Sequence, residues 1–213
     1  MTDTLEHTAT EAAPAVHVEI PWKNLAALAS VSASCASDDA RPILTAVHLT
    51  SEEGRIVATA TDSYSLAVVD VADGGISWDH EPLDVLIPAA WLNQTVRALK
   101  VTRYPLRPVM LSVVGETVTL STDDTVLSTR VQAGTYPTVR HLIPAVANYQ
   151  SELGAFNADF MARMAKIAPE LDKKLKSIGT WRCMSMSRTL PSVWERTTSN
   201  AHALFLIMPV RIN

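Results

Sequence analysis

The residues of this chain best suited to a chemical task are basic and amide side chains at helical spacing. Asn93, Arg97 and Lys100 stand at i, i+4 and i+7, so a helix would present them on one face. No acidic residue occurs between positions 85 and 115. Groups presented in this way can contact a phosphate backbone without reading its sequence. On charge alone, such a pattern is more often that of a solvated helix face.

Basic and amide residues also occur in and after two other helical patterns, and together they form one predicted nucleic-acid-binding set. The set comprises Lys23, Asn24, Asn93, Arg97, Lys100, Arg103, Arg163, Lys166, Lys173 and Lys174. The net charge of −4 argues against indiscriminate coating of nucleic acid, but it allows a local basic face.

The patterns that mark enzymes and metal sites do not occur in the sequence. Its seven glycines form no phosphate loop, and there is no Gly-x-Ser-x-Gly, His-x-x-x-His or Cys-x-x-Cys motif. Asp62 with His141 would be the only imaginable acid–base pair, and an Asp after a strand is far more often a hydrogen-bonded turn residue. Cys35 and Cys183 have no metal spacing and are expected to be free thiols. We expect a non-catalytic protein with no metal and no cofactor.

The composition of the 213 residues is that of a globular protein. No apolar run reaches the roughly 18 residues that a membrane helix needs. Residues 1–15 are rich in Thr, Ala and Glu and lack the pattern of a signal peptide, so they predict a disordered leader. These features predict a cytoplasmic protein.

A β-α-β-β-β unit recurs three times along the chain. Strand-like runs end at Pro21 and Pro88 before helical patterns, each proline being expected as a first helical residue, and Asn157 is an expected N-cap before a third helix. The predicted helices cover 22–28, 89–100 and 158–168. The predicted strands that follow them cover 43–50, 55–60 and 64–71, then 109–114, 117–121 and 126–132, then 180–187, 192–198 and 203–210. This repetition predicts an α+β fold with antiparallel sheets backed by helices.

Four segments of the sequence carry a family resemblance: RPILTAV at 41–47, VATATDSYSLAV at 57–68, GTYPTVRHLIP at 134–144 and LIMPVRI at 206–212. In this order they resemble the beta subunit of bacterial DNA polymerase III, the sliding clamp, in a shortened, phage-type form. The resemblance implies a ring around duplex DNA, with helices on the inner face and sheets outside. It also implies a processivity factor whose partners are double-stranded DNA, a replicative polymerase and a clamp loader.

The same resemblance assigns an apolar groove that binds short linear motifs of the partner proteins. By matching position, the groove comprises Leu44, Thr61, Ser63, Tyr64, Leu66, Pro144, Leu206, Met208, Pro209, Val210 and Arg211. Two positions depart from the family pattern, because Ser65 stands where Arg is usual and Asn213 follows the usual last residue.

The number of units departs from the family as well. We predict a complete clamp domain of two units at 16–144 and a partial clamp domain of one unit at 145–213. A homo-oligomeric ring is expected, and whether three or four copies close it stays open. The alternative is a clamp-like adaptor or clamp mimic that binds partner peptides without encircling DNA.

Overall fold

A computed structural model describes residues 15–38, 40–52, 54–71, 77–78, 82–100, 106–149, 157–167, 181–186, 190–197 and 201–208. The helices are α1 (Trp22–Ala29), α2 (Ala89–Ala98) and α3 (Ala158–Met164). The strands are β1 (Ala15–Pro21), β2 (Ala46–Glu52), β3 (Arg55–Thr61), β4 (Ser65–Val71), β5 (Ser77–Trp78), β6 (Asp84–Pro88), β7 (Pro108–Val114), β8 (Thr117–Ser121), β9 (Val126–Arg130), β10 (Arg182–Ser185), β11 (Ser192–Thr197) and β12 (Ala201–Ile207). None of the described helices is long and apolar enough to cross a membrane.

The starts of the three helices follow from residue chemistry, with one correction. Pro21 and Pro88 are N-caps and not first helical residues, because each still pairs as the last residue of its strand, with Pro108 and Ala46 respectively. Their backbones are accordingly extended, with ψ of 134° and 121°. Asn157 is the predicted N-cap, and its side chain accepts a hydrogen bond from the Asp159 N–H at 2.9 Å.

Two strands begin later than their sequence pattern predicts. The strand predicted from residue 43 starts at Ala46, because Pro42–Thr45 form a 3₁₀ turn. The strand predicted from Tyr64 starts at Ser65, because Ser63 has a φ of +77° and turns the chain. Pattern alone locates the apolar run but not the turn that precedes it.

The two complete units exchange their first strands. One sheet has the order β5-β1-β7-β8-β9 and the other β10-β11-β12-β4-β3-β2-β6. Thus β1, which precedes α1, pairs with β7 of the second unit, while β6 of the second unit pairs with β2 of the first. The third unit extends the seven-stranded sheet through the antiparallel pair β12–β4.

The two sides of the seven-stranded sheet differ because side chains alternate along each strand. On β12, Phe205 and Ile207 enter the main core with α1 and α2, whereas Leu204 and Leu206 lie on the opposite side. We call these the helix side and the outer side of the sheet. Residues 139–149 cover part of the outer side.

Candidate functional site

A cleft of about 490 Å³ opens where the helices meet on the helix side. We call it the basic cleft. Its lining residues are Trp22, Ala26, Ala29, Ser30, Ser32, Ala33, Asn93, Val96, Arg97, Lys100 and Lys166. The structure therefore brings together four of the residues predicted to bind nucleic acid: Asn93 and Arg97 of α2, Lys100 just after α2, and Lys166 in the turn that follows α3.

Small residues and two side-chain contacts shape this cleft. Trp22 is buried on α1, and its Nε1–H donates to the Val96 carbonyl of α2 at 3.0 Å. Asn93 Nδ2–H donates to Ser32 Oγ at 2.8 Å, which joins α2 to the 3₁₀ helix Ser30–Ser34. The Lys100 ammonium lies 5.9 Å from the Trp22 ring centre, so the indole face supports the charge.

Three exposed cations line the basic cleft. Arg97, Lys100 and Lys166 are exposed, and no carboxylate in the described part of the chain forms an ion pair with any of them. An array of three such cations suits an anion larger than one carboxylate, such as consecutive phosphates.

Other members of the predicted nucleic-acid-binding set occupy different settings. Asn24 is only 8% exposed, so the prediction that it lies on an outward face of its helix is wrong. Lys23 is half-buried, and the Arg163 guanidinium is paired with Asp62. Arg103, Lys173 and Lys174 lie outside the described residues.

A second candidate site lies at the turn between β3 and β4. Here Thr61 Oγ1–H donates to the Ser65 carbonyl at 2.7 Å, and the Met208 N–H donates to the Tyr64 carbonyl at 2.9 Å. Tyr64 itself is 64% exposed. The end of β12 is thus tied to a turn that presents an aromatic ring to solvent.

A row of cross-strand neighbours continues from this turn over the outer side of the sheet. Leu66 stands opposite Leu206, and Leu206 stands opposite Val193. All three are fully buried beneath the segment that contains Val139, Leu142, Ile143 and Tyr149. Leu66 and Leu206 therefore form the apolar floor of the site and are not its open surface.

The remaining predicted groove residues divide into three groups. Leu44 is buried in a separate cluster with Ala46, Leu86 and Tyr136. Pro144 is half-buried in the covering segment, and Ser63 is exposed on the turn. Pro209, Val210 and Arg211 lie outside the described residues.

The sequence interpretation missed Arg41 and Tyr149 at this site. The Arg41 Nη1–H donates to Ser63 Oγ at 2.7 Å, which places a guanidinium beside the turn. The sequence did contain a signal for Arg41, because this residue begins the first of the four segments that resemble the family. Tyr149 packs with Leu66 and Leu206 although it follows Pro144, where the third of those segments ends.

The nucleophilic and acidic groups near the turn have structural roles. Asp62 accepts hydrogen bonds from the Tyr64 and Ser65 N–H groups at 2.9 and 2.7 Å, as expected of a turn residue. Burial, aided by the charge of Asp62, raises the pKa of the Cys35 thiol to about 12, so it stays protonated and inert. Within the described ranges, no three His, Cys, Asp or Glu side chains are grouped as a metal site.

Comparison with known families agrees with the fold described above. The family model for the central domain of the DNA polymerase III beta subunit matches residues 11–138. The chain belongs to the DNA polymerase III beta subunit family. The matched residues include α1, α2, the strand exchange between the first two units and the turn that carries Asp62. No curated protein sequence matches the chain.

Solved structures of this family share the fold. The DNA polymerase sliding clamp of Bacillus subtilis aligns over 100% of this chain and 67% of its own length, with a TM-score of 0.72 and 17% identity. The clamp of Pseudomonas aeruginosa aligns over 99% and 70%, with a TM-score of 0.73 and 15% identity. The DNA polymerase III beta chain of Streptococcus pneumoniae aligns over 99% of this chain and 69% of its own length, with a TM-score of 0.70 and 17% identity. The fold class is therefore that of the sliding clamps, as the sequence predicted.

Proposed function

We propose that this protein is a non-catalytic DNA sliding clamp, which encircles duplex DNA and tethers a replicative polymerase through a linear-motif groove. The partners are then double-stranded DNA, the polymerase and a clamp loader, and the protein acts as a homo-oligomeric ring. The complete clamp domain at 16–144 supplies α1 and α2, and the partial domain at 145–213 supplies α3 and the end strand of the groove.

The observation that carries this proposal is the basic cleft. Arg97, Lys100 and Lys166 project from one side of the molecule without a carboxylate partner among the described side chains. Long cationic side chains bind phosphates without fixing a sequence, which is what a sliding contact requires. The proposed motif groove consists of the turn that carries Tyr64 and the Leu66–Leu206 floor, and this floor is on the outer side of the seven-stranded sheet. The proposal therefore allows DNA and a partner protein to bind together.

The DNA contact is tested by its salt dependence. We measure binding of a fluorescent 30-base-pair duplex between about 20 and 150 mM salt for the wild type, Arg97→Met and Lys100→Met. Each lost phosphate contact should lower the magnitude of the log–log salt slope by about one, equally for unrelated sequences. In a ring, one substitution removes the contact from every copy that touches the DNA. The matched control is Arg130→Met, because Arg130 is an exposed arginine on β9, away from the cleft. Unchanged slopes for both cleft variants contradict the DNA-binding assignment.

The motif groove is tested with peptides selected on the protein itself. Random nine-residue peptides displayed on phage are selected against the wild-type chain, and the best is made as a fluorescent probe. We expect a peptide with adjacent apolar residues, since the floor is apolar and Tyr64 offers an aromatic surface. If no selected peptide binds at the turn, the tethering half of the proposal fails.

A clamp-like adaptor is the second candidate function. It shares the motif groove but predicts no sequence-independent grip on DNA. A wild-type protein that binds the selected peptide and shows no salt-dependent binding to the duplex would support the adaptor.

A further inference from the structure

The turn between β3 and β4 depends on one buried carboxylate. Asp62 is 8% exposed, and its Oδ1 accepts the N–H of Tyr64, the N–H of Ser65 and the hydroxyl of Ser65 at 2.9, 2.7 and 3.1 Å. Ser63, between Asp62 and Tyr64, has a φ of +77°. This backbone conformation costs a non-glycine residue about 1 kcal/mol or more. The Asp62 side chain therefore holds a strained turn in the shape that exposes Tyr64.

The other oxygen of this carboxylate faces a different part of the fold. Asp62 Oδ2 accepts from Arg163 Nη1 of α3, and the Arg163 guanidinium also lies 5.4 Å from the Phe160 ring centre. The two residues are 101 positions apart. One carboxylate thus joins the turn of the first unit to the helix of the third.

We propose that Arg163 is a positioning residue of the motif groove, which acts through Asp62 and does not itself contact the partner peptide. This inference rests on the proposed function, since it concerns the same groove. A buried carboxylate without its counter-charge is strongly unfavourable, so removal of the guanidinium favours openings of the turn that return Asp62 to water. A more mobile turn presents Tyr64 less often in its binding geometry and weakens the peptide complex.

The same ion pair restricts which cations are available to phosphate. Lys166, one turn beyond Arg163, lines the basic cleft, whereas the charge of Arg163 is already compensated by Asp62. Replacing Asp62 with a neutral acceptor should release Arg163 toward the cleft. The DNA salt slope of that variant should then increase in magnitude by about one.

The test uses three variants of the full chain and one matched control. Arg163→Met removes the charge and keeps an apolar stem, Arg163→Lys restores a charge, and Asp62→Asn keeps an acceptor for the turn but removes the pairing charge. The control is Arg130→Met, because Arg130 is an exposed arginine on β9, outside both candidate sites. Thermal unfolding confirms that each variant is folded at the temperature of measurement.

For Arg163→Met we expect roughly tenfold weaker binding of the selected peptide. We also expect faster amide exchange at Tyr64 and Ser65, with unchanged exchange at Leu120 in the other sheet. Arg163→Lys should recover most of both effects, and Arg130→Met should change neither. A purely global role for Arg163 would instead speed exchange at Leu120 as well.

Two results would overturn the inference. One is wild-type exchange at Tyr64 and Ser65 in Arg163→Met together with unchanged peptide affinity. The other is an increase of exchange at Leu120 as large as the increase at Tyr64 and Ser65, which would make the role of Arg163 global. An Asp62→Asn slope equal to the wild-type slope would refute the release of Arg163 toward the cleft. In each case a wild-type protein that binds peptide and DNA leaves the proposed function intact. Failure of the wild type to bind any selected peptide refutes the groove and not the amide-exchange result, so the two failures are distinguishable.

Discussion

At the scale of single residues, burial separates side chains that the sequence placed in one groove. Tyr64 and Leu66 are two positions apart in the segment that resembles the family. Tyr64 points to solvent, whereas Leu66 is fully buried against Leu206 and Val193. One is therefore suited to contact a partner, and the other to hold the surface in shape.

This difference gives opposite expectations for two alanine variants. Leu66→Ala should lower the free energy of unfolding by about 2–5 kcal/mol, because it empties a close-packed site. Tyr64→Ala should change it by less than about 0.5 kcal/mol, since an exposed turn side chain makes few contacts. Binding of the selected peptide should nevertheless weaken at least tenfold for Tyr64→Ala. Urea unfolding and fluorescence anisotropy measure the two quantities, and a destabilised Tyr64→Ala with normal affinity would reverse the assignment.

The shared location of Arg97 and Lys100 could be predicted from the sequence, whereas the settings of Asn24 and Arg163 could not. Helical spacing places Arg97 and Lys100 on one face because α2 is regular from its proline cap onward. Asn24 shares the polarity of its neighbour Lys23 but turns inward, and one helix pattern does not reveal which polar side chain the fold will bury. The pairing of Arg163 with Asp62 joins units distant in sequence and leaves no local signal.

At the scale of elements, the pair β12–β4 is where the third unit joins the first. His202 lies opposite Asp70 in the strand register, with Nδ1 3.5 Å from Asp70 Oδ2. Its Nε2 lies 3.0 Å from Glu195 Oε1 of β11. One imidazole therefore bridges two carboxylates across three adjacent strands.

The stability of this junction should depend on pH. The hydrogen bond to Asp70, with the charges of Asp70 and Glu195, raises the pKa of His202 above its usual value although burial opposes this. The folded protein thus holds the proton more tightly than the unfolded chain, so the stabilisation is complete below about pH 6.5 and is lost as the pH rises through the folded-state pKa. We expect the Tm to fall between pH 6 and pH 8.5. In His202→Gln this fall should be smaller, and an equal fall in both proteins would exclude His202 as its source.

The helix side of β12 supports the same junction by packing. Phe205 is fully buried opposite Ala67 and contacts the Trp181 ring edge-on at 6.4 Å between centres. Phe205→Ala should therefore cost about 3–5 kcal/mol in the free energy of unfolding. Phe205→Leu, which keeps most of the volume, should cost less than half of that in the same denaturant titration. A cost below about 1 kcal/mol for Phe205→Ala would show that the third unit does not depend on this contact.

Most helices and strands could be predicted from the sequence, because alternating apolar residues mark the strands and a proline or asparagine cap marks the start of each helix. The last strand was predicted at 203–210, whereas the observed strand is Ala201–Ile207 and Met208 already lies beyond its end. Which of its alternate residues faces the helices could not be predicted, because Phe205, Leu206 and Ile207 are equally apolar and all three are buried. Only the partner strands decide the side, and strand pairing is not a local property.

At the scale of the whole molecule, the two candidate sites lie on opposite sides of one sheet. The basic cleft is on the helix side, and the Leu66–Leu206 floor is on the outer side. A ligand at one site therefore does not block the other by volume. The fold of the family could be predicted from four short segments in order, although the identity to solved clamps is only 15–17%.

A closed ring requires more than one copy of this chain, and solution mass tests it. We expect a stable assembly of three or four copies by light scattering after size exclusion, unchanged over a hundredfold dilution. Closed head-to-tail contacts resist dilution because each copy is held at two interfaces. A monomer at all concentrations would favour the adaptor and would confine DNA binding to one open surface.

The exchange of first strands between the two complete units also dictates an order of events at the ribosome. His17 of β1 meets Ser112 of β7, which is synthesised 95 residues later, an interval of roughly 5–20 s at ordinary rates of translation. Until β7 is made, the strand that carries the apolar residues Val16, Val18 and Ile20 lacks its β7 neighbour in the sheet. The nascent chain must therefore carry an unsatisfied strand while α1, β2, β3 and β4 emerge. Strand β1 is made before β2, β3 and β4, yet it acquires its β7 neighbour only after all three have emerged, so this edge of the strand is open to capture by a chaperone during that interval.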